Sequence, residues 1–402
     1  LLFIERLFLQ FNFYFMSLYN KRGVSAQKEE VHAATKHLDQ GLFPNAFCKI
    51  YPDHLTGNDE YCSIIHADGA GTKSILAYLY WKETNDLAVW KGIAQDAIVM
   101  NTDDLICVGA TSNFLMSSII NRNKHLISGD VVKALIDGTN EVVEMMHENG
   151  VQIHAMGGET ADMGDVIRTV SVDAVMTARF KRSEVIDNAN IQAGNVIVGF
   201  ASYGKASYEN EYNGGMGSNG LTSARHDVFS KIYAEKYPEA FDANTDYQFI
   251  YSGSKLLTDS VDDAPLNAGK LVLSPTRTYA PIVKKAIDEI GTKNINGIIH
   301  CSGGAQTKIL HYINKYHIVK DNLFAIPPLF KLIQQESKTD WKEMYQVFNC
   351  GHRLEIYCDE KFANTLISIS KSFNIDAQIV GYVEESEQKK VTIKSTYGTF
   401  SY

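Results

Sequence analysis

The sequence predicts an α/β (α+β) fold in two domains, on three observations. Short apolar runs alternate with amphipathic helical segments along the whole chain. The length of 402 residues, with 45% hydrophobic and 21% charged residues, suits a globular protein with two cores. Turn-forming residues cluster between 181 and 195, so we place the domain boundary near residue 185.

The expected domains are 16–185 and 186–402, preceded by an unusual apolar segment. Residues 1–15 contain two charges, lack a basic start and a small-residue cleavage site, and are too short to cross a bilayer. We interpret 1–15 as a non-native or gene-model extension, with a targeting element as the alternative. Since no other apolar run reaches membrane length, we expect a cytoplasmic protein without a membrane partner.

The period of the apolar residues predicts the elements of each half. In the first half these are helices over 25–40, from 74, over 87–108 and over 131–147, and strands over 61–67, 114–120, 151–156 and 169–178. In the second half they are helices over 221–236 and 279–290 and strands over 196–201, 298–301 and 353–358. Residues 203–219 are rich in Gly, Ser, Tyr and Asn, and a segment of that length indicates an active-site lid.

Charge and cysteine content exclude some classes of protein. A net charge of −9 argues against nucleic-acid binding, although a local basic pocket for a small anion remains compatible with it. The six cysteines show no CxxC spacing and no regular period. This pattern is typical of reduced, buried thiols and not of a disulfide framework or a zinc site.

A glycine-spaced acidic loop follows the first strand. The stretch is Asp68-Gly69-Ala70-Gly71-Thr72-Lys73, and a predicted helix begins directly after it. Such a junction surrounds a phosphate with backbone N–H groups and the positive end of a helix dipole. Asp68 could add an oxygen ligand for Mg²⁺, and Lys73 a positive charge. Taken alone, the stretch is equally compatible with a tight turn that exposes an acid and a lysine.

Two further stretches place carboxylates at the end of an apolar element. They are Asp103-Asp104 and the run Gly157-Gly158-Glu159 with Asp162. Carboxylates that converge without basic neighbours require a divalent cation, and nucleotide-bound Mg²⁺ is the obvious candidate. Solvated turn acids are the alternative. Because the Walker, GxGxxG, kinase and HExxH patterns are absent, an ATP site here would not use the common loops.

Matching motifs recur in order between about residues 19 and 382 and resemble the phosphoribosylformylglycinamidine cyclo-ligase (AIR synthetase) family. In the first half they are Asp68–Lys73 (D-G-V-G-T-K in the family), Thr102-Asp103-Asp104-Leu105 (V-N-D-L) and Gly157–Met163 (G-G-E-T-A-E-M). In the second half they are Ser218-Asn219-Gly220 (S-N-G), Pro275-Thr276-Arg277 (P-T-R), His300 with Gly303-Gly304 (H-x-T-G-G-G) and Phe348-Asn349-Cys350-Gly351 (F-N-x-G).

The resemblance implies a fold and a reaction. The fold is the two-domain PurM-like fold, in which the N-terminal domain forms a β-barrel across a homodimer and the C-terminal domain is α/β. The reaction is the ring closure of formylglycinamidine ribonucleotide (FGAM) to 5-aminoimidazole ribonucleotide in de novo purine biosynthesis, with ATP as co-substrate and Mg²⁺ as cofactor. ATP phosphorylates the formamide oxygen, the amidine-side nitrogen attacks the activated carbon, and phosphate leaves.

The resemblance also implies roles for individual residues. The expected metal ligands are Asp68, Asp104 and Glu159. The expected nucleotide and phosphate contacts are Asp68, Gly69, Gly71, Thr72, Lys73, Gly157 and Gly158. The expected substrate contacts are Asn219 and Arg277, and the expected catalytic residues are Lys73, Asp104 and His300. For His300, a hydrogen-bonded histidine at a strand end is the alternative, and for Asn219 and Arg277 a structural role is equally open.

Several positions depart from the family pattern, mainly in the second half. Asp103 replaces Asn, Gly217 replaces the His before Ser218, Arg353 replaces Gly, and the S-S-G-x-H-S-N-G loop is expanded to 203–220. Two other functions therefore stay open: a superfamily enzyme with a different second substrate, such as thiamine-monophosphate kinase or selenophosphate synthetase, and a non-catalytic nucleotide-binding subunit. The second predicts loss of the carboxylates, which are all present. Selenophosphate synthetase requires an early cysteine in a glycine-rich loop, which this chain lacks.

Overall fold

The computed structural model describes residues 18–25, 29–35 and 37–402, so the interpretation of 1–15 lies outside the described residues. The helices are α1 Leu18–Lys21, α2 Glu29–Thr35, α3 Lys73–Thr84, α4 Val89–Leu105, α5 Gly129–Glu148, α6 Leu221–Val228, α7 Ile232–Lys236, α8 Ala268–Leu273, α9 Ala280–Ile290, α10 Pro328–Ser337, α11 Trp341–Val347 and α12 Glu360–Ser372. The strands are β1 Tyr51–Pro52, β2 Tyr61–Gly69, β3 Phe114–Arg122, β4 Ile153–Asp162, β5 Val170–Lys181, β6 Val196–Ala201, β7 Gly297–His300, β8 His317–Lys320, β9 His352–Cys358, β10 Ala377–Glu384, β11 Lys390–Ser395 and β12 Gly398–Ser401.

The first domain is a five-stranded sheet covered on one face by helices. Its order is β1-β2-β5-β3-β4, and all pairs are antiparallel except β3 with β4. Strand β5 alternates buried and partly exposed residues, because α4 and α5 cover only one side. We call the side without helices the outer face. The covered side positions α4, whose C-terminal turn carries Asp103 and Asp104.

The second domain is a seven-stranded sheet of order β12-β11-β8-β10-β6-β9-β7. Only β11 and β8 pair in parallel. Strand β9 is buried along its whole length, as expected for a strand covered on both faces. The mixed α/β architecture in both halves confirms the predicted fold class. The first sheet ends at Lys181 and the second begins at Val196, on either side of the predicted boundary.

Two local predictions differ from the structure. Strand β4 does not end before the glycines but continues to Asp162, with Gly157 at φ +120° where the pairing with β3 shifts. The helix expected over 221–236 is broken between α6 and α7, where Ser230 bridges to Gly253. The segment 203–219 is largely exposed or half-buried up to residue 212 and buried over 213–217, and its role as a lid stays a prediction.

Two further expectations can be compared with the structure. All six cysteines are free and buried in this structure, in agreement with the predicted burial. Among the described residues, the helices are too short or too polar to cross a lipid bilayer.

The contact between α4 and α5 gives a test of the packing. A Cβ at Gly138 of α5 would lie 2.6 Å from the Cα of Lys91 on α4. Gly138→Ala should therefore lower the free energy of unfolding by about 1–3 kcal/mol, although Ala is the better helix former. Gly129→Ala in the first turn of the same helix is the control, because no atom lies within 4 Å of its Cβ position. Urea denaturation measures both, and a Gly138→Ala variant as stable as the control would contradict the packing.

Candidate functional site

The two domains meet across a buried lysine at the start of α3. The Nζ of Lys73 donates to Asp96 Oδ1 at 2.9 Å, to the carbonyl of Ser274 at 2.6 Å and to the carbonyl of Gly217 at 3.2 Å. Lys73 and Asp96 are completely buried. Because the ammonium has three N–H groups, all of its donors are used in this structure. Lys73 therefore joins the domains here, and its predicted phosphate and catalytic roles stay predictions.

A carboxylate between two histidines lies further along the same interface. Asp104, at the C-terminal turn of α4, has its Oδ1 2.6 Å from Nδ1 of His300 and its Oδ2 3.3 Å from Nε2 of His66. His66 comes from β2, and His300 ends β7 of the other domain. A carboxylate is unfavourable at a helix C-terminus, so the two imidazoles offset that cost. The arrangement engages both oxygens of Asp104.

The hydrogen bonds of Asn101 fix the protonation of His66. The Nδ2 group of Asn101 lies 2.9–3.1 Å from the backbone carbonyls of Asp68, Ala97 and Ala174. Its Oδ1 must then accept the bond from Nδ1 of His66 at 2.9 Å. Nδ1 therefore carries a proton, and the carboxylate of Asp104, 3.3 Å from Nε2, favours a second proton on the ring.

The charges of this cluster follow from burial and hydrogen bonding. Burial disfavours the charged form of His66, but the hydrogen bond and charge of Asp104 outweigh it and raise the pKa of His66 to about 9. Burial works against the ionised form of Asp104 as well, yet the two histidines hold the pKa of that carboxyl well below its usual range. Complete burial lowers the pKa of His300, so this ring is neutral near pH 7.

A neutral His300 has the properties of a general base. Its Nδ1–H donates to Asp104, which leaves the lone pair on Nε2. That Nε2 is buried and has no hydrogen-bond partner among the described residues. A neutral imidazole with a free lone pair is the form that a general base requires, and the catalytic role of His300 stays a prediction. Asp104 would stabilise the imidazolium that results.

His66 and Asn101 were not among the residues predicted for the site. The sequence contains a weak signal for each. His66 precedes Asp68 by two positions in a strand, so both side chains point to the same face. Asn101 precedes Asp104 by three positions in a helix, which places them on neighbouring positions of one side.

The glycine loop and the Asn219 segment meet at the interface between the domains. The hydroxyls of Thr72 and Thr222 are 2.8 Å apart. A Cβ at Gly303 would lie 3.6 Å from Nδ2 of Asn219, so Asn219 lies against the turn that follows His300. Gly71 adopts φ +58° with open space around its Cβ position, as a loop that admits a ligand requires. Asp68, also predicted here, is exposed at the end of β2.

The predicted Mg²⁺ ligands are not brought together within one chain. The strand pairing aligns one residue on each of β2, β5, β3 and β4, in that order: Gly69, Asp173, Ile119 and Glu159. With strands about 4.8 Å apart, the strands of Asp68 and Glu159 are separated by about 14 Å. Glu159 shares the outer face with Ile119, whereas Asp68 lies opposite the buried Ala174. With Asp104 paired to the histidines, the three carboxylates do not fit one ion in a single protomer. Gly157 and Gly158 lie on the same distant strand as Glu159.

Arg277 anchors the segment 203–219. Its guanidinium forms a bidentate pair with Glu209 and donates to the carbonyls of Ala201 and Tyr203. Only 1% of the residue is exposed. Substrate binding by Arg277 stays a prediction, while its contacts in this structure are those of a positioning residue.

The charge on His66 has a measurable consequence. The pKa of His66 is about 6.5 in an unfolded chain and about 9 in the fold. Its contribution to stability is therefore complete below pH 6.5 and is lost as the pH rises through 9. In metal-free buffer, His66→Asn should lower the free energy of unfolding by about 1–3 kcal/mol at pH 6.5. The deficit should shrink by pH 9.5, as followed by urea denaturation. A deficit that does not change with pH would contradict the assignment.

Comparison with known proteins agrees with this architecture. Residues 49–179 match the family model "AIR synthase related protein, N-terminal domain", and residues 250–394 match the corresponding C-terminal domain. The cyclo-ligase of Methanocaldococcus jannaschii is 30% identical over 81% of this chain and 79% of its own length. The cyclo-ligase of Carboxydothermus hydrogenoformans is 26% identical over 92% of this chain and 96% of its own.

Solved structures share the fold at low sequence identity. A chain of the HypE–HypF complex superposes with a TM-score of 0.55 at 16% identity, covering 94% of this chain and 98% of that one. AaThiL complexed with AMPPCP and TMP gives a TM-score of 0.53 at 13% identity, covering 93% and 96%. The protein belongs to the phosphoribosylformylglycinamidine cyclo-ligase (AIR synthase) family, because both family models match in this order along the chain and the cyclo-ligase relatives align with most of it.

Proposed function

We propose that this protein closes the imidazole ring of 5-aminoimidazole ribonucleotide from FGAM, with ATP as co-substrate, in de novo purine biosynthesis. Two relatives named for that activity match this chain over most of their own length. The observation that carries the proposal is the pair formed by Asp104 and His300, one from each domain, at the groove where Asn219 and the glycine loop meet. Such a groove suits one substrate whose two ends must be held together.

The chemistry requires removal of a proton from the attacking nitrogen. In the proposed reaction, Nε2 of His300 accepts the proton from the amidine-side nitrogen as that nitrogen attacks the phosphorylated formamide carbon. The carboxylate of Asp104 keeps the ring oriented and stabilises the charge that it gains. The positive charge of His66 keeps Asp104 ionised, so Asp104 is already a carboxylate when His300 accepts the proton.

ATP use is supported by the loop geometry and by a structural neighbour. The residues 69–72 precede α3, whose N-terminal dipole favours phosphate. The neighbour AaThiL was solved with the ATP analogue AMPPCP. Mg²⁺ would neutralise charge on the transferred phosphoryl group. Of the three predicted ligands, Asp68 is the exposed carboxylate beside this loop, so we propose it as the contact for a nucleotide-bound ion.

We also propose a homodimer formed through the outer face of the first sheet. Ile65 on β2 and Leu115 on β3 both pair with Thr177 on β5, the strand between them. Ile65 is 72% exposed and Leu115 is 45% exposed. Met156 on β4 is 68% exposed. Large apolar side chains grouped on one sheet face are typical of an interface. A second copy would cover them and close the two sheets into the expected β-barrel.

Incubation with ATP, Mg²⁺ and FGAM tests the activity directly. Formation of ADP and 5-aminoimidazole ribonucleotide in equal amounts is expected. ADP without the imidazole product would indicate phosphoryl transfer to FGAM or to water without ring closure, and hence a changed second step. Neither product would indicate a nucleotide-binding subunit.

Asp104→Asn should reduce kcat by about 100-fold or more, because His300 loses the anion that stabilises its protonated ring. The control is Asp137→Asn, which removes an exposed carboxylate of α5 that pairs with Lys133. Its turnover should equal that of the unchanged protein. Near-normal turnover of Asp104→Asn in the same assay would refute the proposed proton transfer to His300 with the help of Asp104.

Ile65→Asp combined with Met156→Asp should convert the dimer into a monomer, because two carboxylates would be buried in an apolar interface. Analytical ultracentrifugation measures the mass. Leu55→Asp is the control, since Leu55 is 86% exposed in a turn outside this face. A monomeric unchanged protein, or a double variant that remains dimeric, would exclude this interface.

A further inference from the structure

A cysteine, a histidine and a carboxylate converge beside the pair formed by Asp104 and His300. Cys48, His66 and Asp104 each offer one ligand atom, and the sulfur, the ring nitrogen and the carboxylate oxygen lie within 4.8 Å of one another. They come from the loop before β1, from β2 and from the C-terminal turn of α4. The function proposed above uses His66 and Asp104 but leaves the thiol of Cys48 without a role.

The spacing of these atoms suits a tetrahedral cation. Zn²⁺ lies about 2.3 Å from a sulfur ligand and about 2.0 Å from an imidazole nitrogen, so its ligand atoms are about 3–4 Å apart. Nε2 of His66 and Oδ2 of Asp104 already have this separation, at 3.3 Å. The Sγ atom of Cys48 lies 3.3 Å from the backbone carbonyl oxygen of Asp104, which brings the thiol to the same residue. Shifts of about 1 Å or less would complete the coordination.

Hydrogen bonds orient two of the three ligands. Nδ1–H of His66 donates to Oδ1 of Asn101 at 2.9 Å, which directs Nε2 towards Asp104. Nδ1–H of His300 donates to Oδ1 of Asp104 at 2.6 Å and leaves Oδ2 to the cluster. Histidine and carboxylate ligands in metalloproteins are held by hydrogen bonds of this kind. The side chains around Asp104 therefore already have the order that a metal site needs.

The loop that carries Cys48 is fixed against the second domain. Phe47 stacks on Tyr312 with the ring centres 4.9 Å apart, and the Tyr312 hydroxyl donates to the carbonyl of Phe47 at 3.3 Å. Nδ2 of Asn45 donates to the carbonyl of Tyr312 at 2.8 Å. The neighbours of Cys48 in the chain thus hold it beside Asp104, so substitution of the thiol should leave the loop in place.

Ligand chemistry and charge select the class of cation. A thiolate and an imidazole favour Zn²⁺ and related transition metals, whereas Mg²⁺ takes oxygen ligands. A thiolate, a carboxylate and a neutral imidazole carry two negative charges, which balance a divalent cation in a largely buried site. The side chain of His66 is 22% exposed and that of Asp104 13%, which leaves a small ion a path from solvent.

We propose that Cys48, His66 and Asp104 form a binding site for a thiophilic divalent cation of the Zn²⁺ type, separate from the nucleotide-bound Mg²⁺. Binding releases the protons of the Cys48 thiol and of Nε2 of His66, and a solvent molecule takes the fourth position. The cation draws charge from Asp104, which then no longer stabilises a protonated His300. It therefore inhibits the reaction; this last step rests on the function proposed above, whereas the site does not.

Cobalt spectroscopy tests the site without any substrate. One equivalent of Co²⁺, added to the full chain in oxygen-free buffer, should give the visible bands of tetrahedral Co²⁺ and a thiolate-to-metal charge-transfer band in the near ultraviolet. Excess Mg²⁺ should change neither, because it does not compete for sulfur. Absence of the charge-transfer band, or its loss when Mg²⁺ is added, would overturn the proposal.

Substitution of Cys48 tests the identity of the sulfur ligand. Cys48→Ser and Cys48→Ala should each remove the charge-transfer band and weaken Co²⁺ binding by at least about 10-fold. Cys62→Ser, at another buried cysteine of the first domain, is the matched control and should change neither property. Thermal unfolding without metal identifies the folded variants. A charge-transfer band that survives in a folded Cys48 variant would place the metal elsewhere and overturn the proposal.

Zinc inhibition tests the consequence for the proposed reaction. Protein loaded with one equivalent of Zn²⁺ should show a kcat about 10-fold or more below that of the zinc-free protein, and a zinc-selective chelator should restore it. Cys48→Ser treated in the same way should lose less than about threefold of its own zinc-free rate. Equal inhibition of both proteins would overturn the inhibitory role. The cobalt spectra decide the site even if ring closure itself is not observed.

Discussion

The buried ion pair between Lys73 and Asp96 is the contact on which the arrangement of the two domains depends. Both groups are fully shielded from water, so each charge is tolerable only because the other is present. The same ammonium binds carbonyls at Gly217 and Ser274, which belong to the second domain. One side chain at the start of α3 thus sets the position of the glycine loop relative to two segments of the other domain. The Asp96 carboxylate of this pair also accepts from the backbone N–H and the hydroxyl of Thr276 in the second domain, so both members of the pair join the two domains.

At the C-terminal turn of α4, a second carboxylate joins the two domains. Asp104 accepts from an imidazolium on its own domain and from a neutral imidazole on the other. The difference between the two rings comes from their surroundings: Asn101 and two carboxylates favour the proton on His66, whereas complete burial disfavours a second proton on His300. The same carboxylate therefore contacts one charged ring from its own domain and one neutral ring from the other domain.

The elements with a clear local period could be predicted from the sequence, and the partners between distant elements could not. Helix α4 ends at the 3₁₀ turn before Gly109 as its apolar spacing indicates, because 3.6-residue periodicity and a left-handed stop are local properties. The grouping of Asp68 with Glu159 was inferred from similar surroundings along the chain. It fails within one protomer because the order β2-β5-β3-β4 places two strands between them. The pairing of Arg277 with Glu209 had no sequence signal either, since it joins two irregular segments.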